Sequence, residues 1–199
     1  MHLRASLLVY STLLLIGSAA NADSLTYIET ATATGSLGGT AFTNATLSLT
    51  GVGDSSEISS ASGIYELLLP VTVMVSGIPE SATLTHNIDV VDNQTSSGAG
   101  FGDFTADFAI LFDDASAFST YNLASSIGPV SGTGAINSGF SFSTPTNHGS
   151  LVLDSVSSVS FQAIDTSATA PEPSSFALLC TGLLGCAAVV RRRFISFQG

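Results

Sequence analysis

From residue 24 onward the chain alternates apolar with hydroxyl-bearing or polar residues, segment after segment. Ala45, Leu47 and Leu49 interleave with Thr46, Ser48 and Thr50. Val71, Val73 and Val75 interleave with Thr72, Met74 and Ser76. Leu84, His86, Ile88 and Val90 interleave with Thr83, Thr85, Asn87 and Asp89. Phe104, Ala106, Phe108, Ile110 and Phe112 do the same through Asp113. A period of two puts one set of side chains on each face of an extended strand. Ser24–Thr34 opens this pattern, and Phe140–Ser143, Leu151–Leu153 and Val159–Ile164 close it. Gly38-Gly39, Gly51–Asp54 and Gly77-Ile78-Pro79 read as turns. No stretch keeps a 3.6-residue period. The pattern predicts an all-β body at residues 23–164, an antiparallel β-sandwich of about eight to ten short strands, with a closed β-barrel as the alternative. Residues 165–170 read as a small-residue linker.

The charge distribution narrows the function. The chain has 199 residues, four Arg, no Lys, no Trp and a formal net charge of −11. Fourteen of its fifteen carboxylates lie between residues 23 and 170 and none of its Arg does, a formal charge of −14 there. Phosphate neutralisation needs Lys and Arg, so nucleic acid is excluded as a partner. Lysine-based catalysis is excluded outright. Both Cys, Cys180 and Cys186, sit in one apolar run near the C-terminus, so the body carries no disulfide and no thiol.

The two ends are addresses. Residues 1–22 combine Arg4, an apolar stretch from Ala5 to Ile16 and the A-x-A site Ala20-Asn21-Ala22. This is a secretory signal peptide with a short helix, cut by signal peptidase after Ala22. At the other end Pro171-Glu172-Pro173 precedes an uncharged run, residues 174–190, and then Arg191-Arg192-Arg193. The run is long enough for one short transmembrane helix, and the three Arg act as a membrane stop that holds the tail, 194–199, in the cytoplasm. The two prolines keep Glu172 in extended, accessible chain.

The order of Pro-Glu-Pro, apolar helix and Arg cluster over residues 171–193 resembles the PEP-CTERM sorting signal of Gram-negative, exopolysaccharide-producing bacteria. The resemblance implies recognition of the precursor in the inner membrane by an exosortase, a membrane-embedded processing enzyme. It further implies a mature form on the cell surface or in the extracellular matrix. The Gly-rich stretch Ser36–Asn44 and the segments Asp92-Asn93-Gln94 and Ala99–Asp103 are similar to the middle of many such proteins, and that likeness implies no activity.

The body offers little for catalysis. It holds His86 and His148 and none of the G-x-S-x-G, H-E-x-x-H or phosphate-loop motifs. His86 lies on the apolar phase of its run and reads as a packed side chain; His148 precedes Gly149 and reads as a loop residue. Asp92, Asp103, Asp113 and Asp114 fall at expected strand ends, where oxygen-rich loops could gather around Ca²⁺, although their spacing fits no known calcium loop. They are the only metal candidates, and no other cofactor is expected. The reading is a non-catalytic exported protein of the surface or biofilm matrix, associated with exopolysaccharide. A carbohydrate-binding module, with or without Ca²⁺, is the alternative, with Tyr27, Tyr65 and Tyr121 as the body's tyrosines for stacking on a sugar. A secreted hydrolase is the remote one.

Overall fold

The computed structural model describes residues 24–103, 108–135 and 142–166. The chain divides into two units, Met1–Ser167 and Ala168–Gly199, and all described residues belong to the first. The expected signal peptide, the Pro-Glu-Pro motif, the apolar run and the Arg cluster lie outside the described residues. Among the described residues no helix is long and apolar enough to cross a membrane.

The body is all-β, and every strand pairing is antiparallel. Two long strands open it, β1 (Ser24–Leu37) and β2 (Thr40–Asp54). The short β3 (Ser59–Ala61) precedes β4 (Ile64–Leu69), β5 (Val71–Val75), β6 (Ala82–Thr83) and β7 (Ile88–Asn93). Then come β8 (Gly98–Asp103), β9 (Phe108–Asp114), β10 (Ile127–Ser131), β11 (Thr133–Ala135), β12 (Phe142–Thr146) and the long β13 (Gly149–Asp165). One sheet runs β10-β13-β1-β2-β5-β6, with β12 also paired to β13; the other runs β11-β9-β8-β7-β4-β3. Gly38 and Gly39 both take positive φ, +58° and +83°, which suits the two-residue turn joining β1 to β2.

The core lies between the sheets. β1 alternates half-buried and buried residues along its whole length, with Leu25, Tyr27, Glu29, Ala31 and Ala33 pointing inward. A 3-10 turn at Ser116–Thr120 carries Phe118 into the interior, where its ring meets Phe161 edge-on at 5.7 Å. The Tyr27 hydroxyl donates to the Leu123 carbonyl at 2.8 Å and pins the segment that follows. The two ends of the body lie side by side, since the Thr166 N–H donates to the Ser24 carbonyl at 2.9 Å.

The sandwich and barrel expectations are both partly met. The β6 edge of the first sheet is joined to β12, while β10 stays an edge strand beside the far part of β13: Leu84 bridges Thr146, the Thr85 N–H donates to the Pro145 carbonyl at 3.1 Å, and the Asn147 N–H donates to the Thr83 carbonyl at 2.9 Å. Hydrogen bonding therefore runs in a closed circuit β12-β13-β1-β2-β5-β6-β12, against which the second sheet packs.

Three expected segments differ. Gly51–Asp54 is not a turn but the end of β2; its glycines leave room for Leu69 and Leu67 of the facing sheet, whose side chains a Cβ would strike. The run Leu84–Val90 is not one strand, because the chain passes from the first sheet to the second between β6 and β7. Leu151–Leu153 and Val159–Ile164 are one strand, β13, whose register against β1 shifts twice, with Ser158 at φ +52°.

Candidate functional site

Of the four expected calcium ligands, the structure puts two inside and two apart. Asp92 on β7 and Asp113 on β9 both stand opposite Ala99 of β8, in one cross-strand row, with backbones about 10 Å apart across two strand spacings. Both are fully buried and neither has a hydrogen-bond partner on either carboxylate oxygen. Asp114 is exposed and pairs with Gly98, while Asp103 pairs with Phe108, so they occupy opposite ends of β8, about 17 Å apart. Asp92, Asp113 and Asp114 lie at one end of the second sheet, opposite Ala99 and Gly98, and Asp103 lies at the other; of the three, Asp92 and Asp113 turn inward and Asp114 is exposed. Among the described residues no group of three or more His, Cys, Asp or Glu is placed to hold a metal ion.

A third interior carboxyl, Glu29, had no sequence signal beyond its place on the inward phase of β1. It is fully buried and stands between inward-facing Phe161 of β13 and Leu49 of β2. Its Oε2 accepts the Phe101 N–H of β8 at 3.2 Å, beside the register shift between Phe101 and Gly102; its Oε1 is buried without a partner. Burial pushes the Glu29 carboxyl well above its usual range; the Phe101 N–H opposes this, and the charge of Asp113 adds to it. Burial alone pushes Asp92 up to about 7. Burial also pushes Asp113 up to about 6, with the nearby N–H groups of Phe161 and Gly132 pulling down and Asp114 pushing up. Carboxylates leaving water need a counter-charge or donors, and here there is no Lys or Arg to provide one.

The residues a hydrolase or sugar site would use are placed elsewhere. His148, in the turn between β12 and β13, is 45% exposed and its Nδ1 lies 3.2 Å from Glu80 Oε2. His86 is half-buried where the chain crosses between sheets. Tyr27 and Tyr121 are buried in the core, leaving only Tyr65 part-exposed.

Three consecutive rows on the outer face of the first sheet carry no charge across four strands, with Asp54 in the row beside them. One row reads Ile164, Thr26, Val52; the next reads Gln162, Ile28, Thr50, Thr72; the third reads Ser160, Thr30, Ser48, Met74. This comes from the Ser/Thr alternation of each strand falling into register.

Comparison with known proteins adds one match. The family model described as the PEP-CTERM protein-sorting motif matches residues 169–193. No curated protein and no solved structure matches the chain. The matched stretch takes in Pro171-Glu172-Pro173, the apolar run and the Arg cluster, and it marks the chain as an exported protein with a PEP-CTERM sorting domain, a substrate of exosortase-dependent sorting.

Proposed function

We propose that this is a non-catalytic surface or matrix protein whose body meets exopolysaccharide once sorting is complete. The observation that carries the reading is the sorting motif at residues 169–193. In this scheme signal peptidase cuts after Ala22, the helix at 174–190 holds the precursor in the inner membrane, Arg191–Arg193 stop it there, and the exosortase acts at Pro171-Glu172-Pro173. Two features of the body support it. The adjacent Ser24 and Thr166 attach both export signals to one end of the fold. Three of the body's carboxyls and two of its three tyrosines are buried in the core, away from any surface ligand. These uncharged rows, hydroxyls interspersed with exposed Val52, Met74 and Ile164, are the surface we assign to a neutral polymer, since an anionic one would be repelled by the body's charge.

The test is the mature chain itself. Its intact mass should begin at Asp23, and the protein should fractionate with the matrix or cell surface. Replacing Pro171 and Pro173 by Ala should strand the precursor in the inner membrane; unchanged release would sink the role of the motif. A glycan screen of the mature chain separates the two binding readings. Retention by the neutral matrix polymer without Ca²⁺ supports the first, whereas binding that requires Ca²⁺ supports a carbohydrate-binding module.

A further inference from the structure

Glu29 poses a problem that ionisation makes worse. Its carboxyl is fully buried, and Phe161 and Leu49 flank it on the neighbouring strands. Among the described residues, the titratable groups beside it are Tyr27, on the same inward phase of its own strand, and Asp113 from β9. The first is a phenol already bonded to the Leu123 carbonyl, and the second is another acid. From β8 it receives one backbone N–H. One N–H bond and no cation leave a buried carboxylate far short of what water supplies. A neutral carboxylic acid in the same place still accepts that bond and brings no charge into the core.

We propose that Glu29 is a protonated carboxylic acid in the folded domain, a neutral hydrogen-bonded strut from β1 to β8 that joins the two sheets and is released in alkaline medium. The proton resides on Oε1, the oxygen without a partner, and Oε2 keeps the Phe101 N–H. The domain functions outside the cytoplasm, where no cell buffers the pH, so this join responds to the surroundings directly.

The experiment uses the exported chain purified from its producing cells. Infrared spectra of the protein in heavy water should show a carboxylic-acid C=O band that persists at pH 8. That lies above the values near 6 and 7 of Asp113 and Asp92, so their bands should have faded. Glu29→Gln, which keeps an acceptor for Phe101 and has no proton to lose, should abolish the band. It should melt with the wild type at pH 5 and several degrees above it at pH 9. Glu29→Leu should melt below the wild type at pH 5, because the Phe101 N–H loses its acceptor, and that gap should close by pH 9. Absence of the band in the wild type at pH 8 would overturn the proposal, even if neither variant folds. So would a wild-type melting temperature at pH 9 that millimolar Ca²⁺ restores, at matched ionic strength, in wild type but not in Glu29→Gln. In that case a cation, not a proton, neutralises the site.

Discussion

Asp92 and Asp113 make the pH response a residue-scale matter. Their carboxyls are raised on folding to about 7 and about 6, from ordinary values of 3.8. The folded state therefore binds more protons than the unfolded chain between those limits. The stability they confer is complete below about pH 4 and is lost as pH rises through about 6 and then about 7. We expect the melting temperature to fall by about 5–10 °C from pH 4.5 to pH 8. In about 0.5 M NaCl the fall should persist, because salt screens the exposed carboxylates and not these. Asp92→Asn with Asp113→Asn should make the fall shallower and leave the part that buried Glu29 contributes; a wild-type stability that rises with pH over this window would contradict the burial argument. Gly35 gives a second test. A Cβ there would run into the Val152 carbonyl, which is backbone and cannot step aside. Gly35→Ala should cost about 2–3 kcal/mol in denaturant unfolding. Gly39→Ala, at φ +83° with nothing within 4 Å, should cost only about 1 kcal/mol, from backbone strain alone.

At the scale of elements, the join between β6 and β12 decides whether β6 is an open edge of the first sheet. Asn147 serves it twice, since its N–H donates to the Thr83 carbonyl and its Oδ1 accepts the Thr83 N–H at 2.8 Å. Asn147→Ala keeps the first bond and removes the second. It should lower stability by about 1–2 kcal/mol and speed hydrogen exchange at Thr83 and Thr85 before the rest of the sheet. Equal exchange everywhere would mean the join is not a separate weak point. This closure was not legible in the sequence, because β6 is two residues long and its partner lies more than sixty residues on. The strand β8 was hidden for a different reason. Its Gly98, Gly100 and Gly102 carry no side chain to mark an alternation, yet they lie in a strand paired on both edges, and a Cβ at Gly98 or Gly100 would collide with Phe112. The strands β1, β2 and β5 could be read directly, since each has one face in the core and one in water, and that contrast is what a period of two records.

For the whole molecule, the −14 of the body predicts that NaCl, raised from low to physiological concentration, stabilises it by screening self-repulsion. A melting temperature indifferent to salt at pH 8 would refute this. Trypsin should leave residues 23–170 uncut even when the chain is unfolded, for want of any Lys or Arg. These statements need only the sequence, as do the sorting motif and the all-β class. Charge, composition and a linear recognition motif are properties of the chain before it folds, and strand periodicity is local. Where the acids ended up was a tertiary matter. The same alternation that identifies β1, β7 and β9 as strands places Glu29, Asp92 and Asp113 on one phase or the other, but not which phase the second sheet covers. Only the packing of one sheet on the other put all three carboxyls indoors, because burial is set by what lies across the core and not by neighbours along the chain.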